Sequence, residues 1–90
     1  MNYYVYLILS KSTKTNISYV GYTNNLINRL KKHNSSSGAK FTRGKKWEII
    51  YSKKYNNKST ALKEEYKLKK DYKKRRKIIN KYLLKHEKIT

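Results

Sequence analysis

The longest apolar run in the chain is VYLIL, residues 5 to 9, inside the segment NYYVYLILS. That run is far too short to cross a bilayer, and its β-rich surroundings alternate well enough to predict a strand. One face then carries Val5, Leu7 and Leu9, the other Tyr4, Tyr6 and Ile8. A chain of 90 residues can bury only one modest core. We therefore expect a single domain over residues 1–90, with function on its surface.

A polar loop, KSTKTN, separates this strand from a second, ISYVGY, and its length suits an antiparallel hairpin. If Ser10 and Ile17 flank the loop symmetrically, Tyr6 faces Gly21 and lies diagonal to Tyr19. The two tyrosines then share a face beside a position without a side chain, which predicts room for a ligand. Thr23 is placed to cap a helix running to about His33, with Leu26, Ile27 and Leu30 as its core stripe. On that helix Asn25, Arg29 and His33 project from a common side, at i, i+4 and i+8.

The basic loop NSSSGAKFTRGKK leads to a third strand, WEIIYSKKY, and NNKST turns into a second helix beginning near Ser59 or Thr60. In that helix Glu65 falls within the stripe of Ala61, Leu68 and Tyr72, while Glu64 points roughly 100° away. From about residue 72 a third, very basic helix is expected, with Ile78, Ile79, Tyr82 and Leu83 as docking residues.

Charge narrows the function. With 24 lysines and arginines against 5 acids, the net charge is +19, a field that attracts polyanions and above all nucleic acid. Part of that charge fits a general bias of composition, since Asn, Ile and Tyr are abundant too. The lysine-rich segments lack the broad apolar face of a membrane-surface helix. Without cysteine there are no disulfides and no zinc-thiolate sites, and with no leader pattern the expected location is the cytoplasm, at the nucleoid in a bacterium.

YVY at 4 to 6, YVG at 19 to 21, YTNNLINRLKKH and ALKEEYKLK, in that order and spacing, resemble the GIY-YIG nuclease superfamily. The length and the GAKFTRG loop resemble its small, single-domain YhbQ-like branch. The resemblance implies an α+β fold, a three-stranded antiparallel sheet flanked by helices, which agrees with the element order above. It also implies metal-dependent cleavage of a DNA phosphodiester, leaving a 5′ phosphate and a 3′ hydroxyl. By position Tyr6 and Tyr19 correspond to the tyrosines of the two name-giving motifs, Tyr19 being the candidate for activating water. Arg29 corresponds to the family arginine, His33 to the polar residue one helical turn later, and Glu65 to the carboxylate that holds the metal. The first motif departs from Gly-Ile-Tyr at its lead position, and Asn80 is a candidate for a late family asparagine.

The residue types suit that chemistry. A tyrosine with an ordinary pKa of about 10 is a poor base unless positive charge favours its anion, and Arg29 and a metal are expected to provide that field. In a chain with twenty lysines and four arginines, Arg29 marks a place where a planar fork can grip two phosphate oxygens. The acids are only Glu48, Glu64, Glu65, Asp71 and Glu87, too few and too scattered for a two-metal site. One Mg2+ or Mn2+ held by Glu65, waters and the substrate phosphate is the expected arrangement.

Lys40, Arg43, Lys45 and Lys46 are expected as phosphate contacts that position DNA without reading its sequence. Lys73 to Lys77 either extend that surface or form a solvated face. Plainer accounts exist for each residue: tyrosines as strand formers, Arg29 and His33 as helix-surface charges, Glu65 as an i, i+4 partner of Lys69. The first functional reading is a structure-selective DNA endonuclease, acting on flaps, branches or distorted duplex in repair or recombination, alone or with a targeting partner. The alternatives are a catalytically weak or inactive nucleic-acid-binding module, and a ribosome-associated basic protein.

Overall fold

A computed structural model of the protein describes residues 1–11 and 15–87. Residues 12–14 of the expected polar loop and the last three of the basic tail lie outside the described residues. The elements in chain order are β1 (Tyr3–Ser10), β2 (Ile17–Thr23), α1 (Leu26–Asn34), a 3₁₀ turn (Lys40–Thr42), β3 (Glu48–Tyr55), α2 (Lys58–Lys70) and α3 (Tyr72–Glu87).

The sheet order is β2-β1-β3, antiparallel throughout, so the most apolar segment becomes the central strand. Val5 to Leu9 are each 2% exposed or less, because both faces of β1 are covered. On one face Val5, Leu7 and Val20 pack with Ala61 and Leu68 of α2, and Ile78 and Ile79 of α3 join them. On the other, Tyr6, Ile8 and Trp47 pack with Tyr19, Leu26, Leu30 and Ile49. The hairpin register pairs Ser10 with Ile17 and Tyr6 with Gly21, as the symmetric loop requires.

Several local expectations are corrected. Asn25, not Thr23, caps α1: its side chain accepts from the Asn28 N–H at 3.1 Å. Thr23 Oγ1 instead accepts from the Asn25 N–H at 3.1 Å, a turn that delivers the chain to the cap. Ile27 is 70% exposed, because it lies about 100° round the helix from Leu26, off the narrow face on which Leu26 and Leu30 dock and His33 is buried. Trp47 precedes β3 and is buried, with Nε1–H donating to the Thr42 carbonyl at 2.9 Å.

Asn57 caps α2, accepting from the Thr60 N–H at 3.1 Å, so the helix starts at Lys58. Tyr72 does not belong to the α2 stripe. The chain breaks at Asp71, whose carboxylate accepts from the Lys74 N–H at 3.0 Å, and Tyr72 opens α3 exposed to solvent. Tyr82 docks α3 as expected: burial and a hydrogen bond with Glu48 push its phenol up to about 12, and Lys11 caps its ring at 5.2 Å.

Candidate active site

Central strand β1 presents Tyr6 on the face covered by α1, and two successive turns of α1 aim Arg29 and His33 at its hydroxyl. Arg29 Nε–H donates to Tyr6 Oη at 3.4 Å, and His33 Nε2 lies 2.8 Å from the same oxygen. His33 is fully buried, and its Nδ1 lies 2.8 Å from Thr42 Oγ1. Thr42 in turn donates its single hydroxyl proton to the Ala39 carbonyl at 2.7 Å.

That last bond fixes the protons along the chain. With its proton committed to Ala39, Thr42 Oγ1 accepts from His33, so the imidazole proton sits on Nδ1. Nε2 is then an acceptor, and Tyr6 donates to it while accepting from Arg29. A one-way chain runs Arg29 to Tyr6 to His33 to Thr42 to Ala39, joining the α1 cluster to the basic loop. Gly38 lets that loop lie over the imidazole, since a Cβ there would come within 2.6 Å of Nδ1.

Burial pushes the Tyr6 phenol above its ordinary 10; Arg29 opposes the rise, while Tyr19 and Glu65 add to it. Arg29 thus favours the Tyr6 anion in direction, but burial outweighs it, and Tyr6 stays a neutral hydrogen-bonding phenol. Burial, then the Arg29 charge, lowers His33 below its ordinary 6.5, so it is neutral at pH 7. Below the ordinary imidazole value the unfolded chain binds a proton that the fold resists, so stability falls as pH drops through that window. Thermal unfolding from about pH 8 to pH 5 is expected to show this loss, and His33→Gln is expected to flatten it. An equally steep loss in that variant assigns the effect to other groups.

Tyr19 packs edge-on against His33 with centroids 5.3 Å apart, and its hydroxyl has no hydrogen-bond partner among the described residues. Of the two tyrosines, it is the half-buried Tyr19 that borders open space; Tyr6 is 1% exposed. The room expected above Gly21 is not there either, because the Tyr6 ring fills it.

Glu65 reaches the same region from α2. Its side chain is 17% exposed and pairs with Lys69 at 3.6 Å, while Glu64 pairs with Lys67 at 3.1 Å. Inward placement and pairing with Lys69 thus both hold for Glu65. Two cavities are lined by residues of both β2 and α2. One, of about 470 Å³, is lined by Tyr22, Thr23, Arg29, Lys32 and Lys58; the other, of about 320 Å³, by Ser18, Tyr19, Phe41, Lys69 and Arg75. Lys58, Glu65 and Lys69 fall on one face of α2, at i, i+7 and i+11, so along the helix Glu65 lies between the lysines of the two cavities, which together make a cationic groove.

Among the described residues no three His, Asp or Glu side chains gather into a metal cage. One mostly buried carboxylate in a groove that attracts phosphate still fits a hydrated hard cation, which commonly takes one or two carboxylates and completes its shell with water and substrate oxygens.

Residues 2–82 match the family model of the GIY-YIG catalytic domain. The chain belongs to the GIY-YIG family. It is 46% identical over 68 residues to a UPF0213 protein of Oceanobacillus iheyensis, covering 74% of this chain and 76% of that one. It is 35% identical over 78 residues to the UPF0213 protein YazA of Bacillus subtilis, covering 86% and 76% respectively. The solution NMR structure of a UPF0213 protein from Bacillus halodurans is 34% identical, covers 89% of this chain and 84% of that one, and aligns with a TM-score of 0.49. The GIY-YIG family is one of nucleases.

In this GIY-YIG domain the structure brings Tyr6, Tyr19, Arg29 and His33 together, with Glu65 near enough for its charge to act on Tyr6. Lys40, Arg43 and Lys46 are exposed around the 3₁₀ turn, and Lys45 sits 5.7 Å from the Phe41 ring centroid; none of the four lines either groove cavity. Asn80 lines a separate cavity with Asn16, Arg75 and Arg76. Sequence reasoning missed Lys32, Thr42, Lys58 and Lys69 as groove or support residues, and reached Arg75 only as part of the Lys73 to Lys77 run. The α2 spacing carried the signal for Lys58 and Lys69; nothing local pointed to Thr42, which matters through its contact with His33.

Proposed function

We propose that this GIY-YIG domain is a metal-dependent DNA endonuclease that hydrolyses one phosphodiester at a time. It selects DNA by structure, such as a flap, branch or distorted duplex, and serves repair or recombination. The observation that carries the reading is the convergence of Arg29, Tyr6 and His33 in one directed hydrogen-bond chain beneath a cationic groove. Simple charge neutralisation needs no such chain.

A substrate backbone in the groove meets Arg29, Lys32 and Lys58 at one end and Lys69 and Arg75 at the other. Arg29 gives Nε–H to Tyr6, and its terminal nitrogens remain to bind phosphate oxygens where charge develops during hydrolysis. Tyr6 and His33 hold that guanidinium in place. Tyr19 borders the groove with an unengaged hydroxyl, placed to order the attacking water and pass on its proton. Glu65 would hold the divalent ion, whose contribution is charge neutralisation at the phosphate and the leaving oxygen. Phosphate entering the groove competes for Lys69 and so frees the carboxylate.

The Glu65–Lys69 pair also favours a second reading, a binding module whose carboxylate stays neutralised and which holds DNA without cutting it. Labelled single-strand, duplex, flap and branched DNA, with magnesium, manganese or EDTA, separates the two. Metal-dependent products from the parent and at least 100-fold fewer from Glu65→Ala are expected on the order of magnitude of a lost electrostatic group. Tight, salt-sensitive binding without products from a folded preparation selects the binding module.

A further inference from the structure

Phe41 is an aromatic side chain that the core does not use. It is 54% exposed, yet its chain neighbour is firmly tied down. Next to it, buried Thr42 is tied to His33, Ala39 and Trp47, all through hydrogen bonds of 2.9 Å or less. The ring stacks on Tyr19 with centroids 6.1 Å apart and planes 22° apart, extending the Tyr19 wall outward from the site. The same cavity is lined by Lys69 and Arg75. The guanidinium of Arg75 is itself steadied, with Nε–H donating to the Leu68 carbonyl at 3.1 Å.

An aromatic wall and two cations lining one cavity of about 320 Å³ have the size and chemistry of a seat for one nucleotide. Every base has a π-face to lay on an aromatic ring, and its phosphate needs positive charge. A base within a paired duplex presents only its edge, so the seat can be filled only by a nucleotide released from its stack. We propose that the Tyr19–Phe41 wall and the Lys69–Arg75 pair form a subsite for one unstacked nucleotide immediately beside the phosphate held at Arg29 and Glu65. This rests on the nucleic-acid reading above and deepens it: the preferred DNA carries an unpaired nucleotide next to the bond addressed. The cation of Lys45, 5.7 Å from the Phe41 ring centroid, yields its place to the base and remains beside the backbone.

The test is a binding experiment in EDTA, so that its outcome does not depend on cleavage. The probes are bubble, flap and fully paired DNA carrying the fluorescent base 2-aminopurine at successive positions of the unpaired segment, and matched DNA with an abasic residue there. Binding is expected to quench 2-aminopurine at one position of the unpaired DNA. Phe41→Ala is expected to abolish that quench and weaken unpaired DNA about tenfold, within the range for one stacked base, while leaving paired DNA unchanged. Phe41→Trp keeps both, and the abasic probe is insensitive to Phe41→Ala. The side chain is exposed, so the variant should fold, and circular dichroism checks that it does. Equal weakening of paired and unpaired DNA, no position-specific quench, or no DNA binding by the parent overturns the subsite. Quench and discrimination without metal-dependent products uphold the subsite and remove only the nuclease reading; cleavage with no Phe41 effect does the reverse.

Discussion

Arg29→Lys is expected to lower DNA cleavage roughly 100-fold while changing DNA affinity little. The substitution keeps the positive charge, so the long-range field of a +19 chain is unaltered. What it removes is geometry. Lysine has no Nε–H fixed in the plane of a fork, so it cannot donate sideways to Tyr6 Oη, 3.4 Å away, and also offer two parallel donors to a phosphate. A 100-fold loss corresponds to about 2.7 kcal/mol of transition-state stabilisation, the size found for one preorganised donor at a developing oxyanion. The measurement is single-turnover cleavage of the best DNA structure, with affinity measured separately in EDTA. A lysine variant that cuts within a few-fold of the parent would mean that a point charge suffices, and the fork argument for Arg29 would fail.

How much of this was legible before the structure depends on the range of the interaction. The hairpin register could be read because side chains alternate strictly along strands and the loop is flanked symmetrically; both rules are local. The convergence of Arg29 and His33 could be read as far as helical spacing goes, which places them one turn apart. That Tyr6 is their shared target needs the depth at which α1 crosses the sheet, a matter of packing. The same depth decides the proton state of Tyr6: charge proximity alone argues for an anion, while complete burial argues for the phenol and wins.

The α1 start was misplaced because Thr23 and Asn25 are both good caps, and only the backbone turn between them shows which one the helix uses. Ile27 borders the Leu26–Leu30 stripe on the helix surface, and only the narrowness of the docked face leaves it in solvent. Glu65 is legible as an inward acid, but that the lysines on either side of it line two basic cavities depends on how α2 packs on the sheet. Thr42 and Phe41 lie in a loop whose composition says only that it is basic. Their roles come from one turn, in which the buried hydroxyl holds His33 and the neighbouring ring is held out beside Tyr19.

Gly21→Ala should produce the largest loss of stability from a single methyl group in this chain. Gly21 faces Tyr6 across the hairpin, and a Cβ there would collide with both the Tyr6 hydroxyl and the ring carbon that bears it. Most flexible side chains would swing aside. Tyr6 cannot, because it is buried in the central strand and its hydroxyl is held by Arg29 and His33. Overpacking of a filled core typically costs about 1–3 kcal/mol, and the gain of about 0.5–1 kcal/mol from replacing a strand glycine offsets only part of it. Chemical denaturation should show a net loss of about 1–2 kcal/mol with the unfolding cooperativity retained. Adding Tyr6→Leu, which removes the colliding atoms, should recover much of the stability without restoring cleavage, because the partner of Arg29 and His33 is gone. If Gly21→Ala is as stable as the parent, the ring does not rest on Gly21, and the placement of the Tyr6 hydroxyl between Arg29 and His33 loses its support.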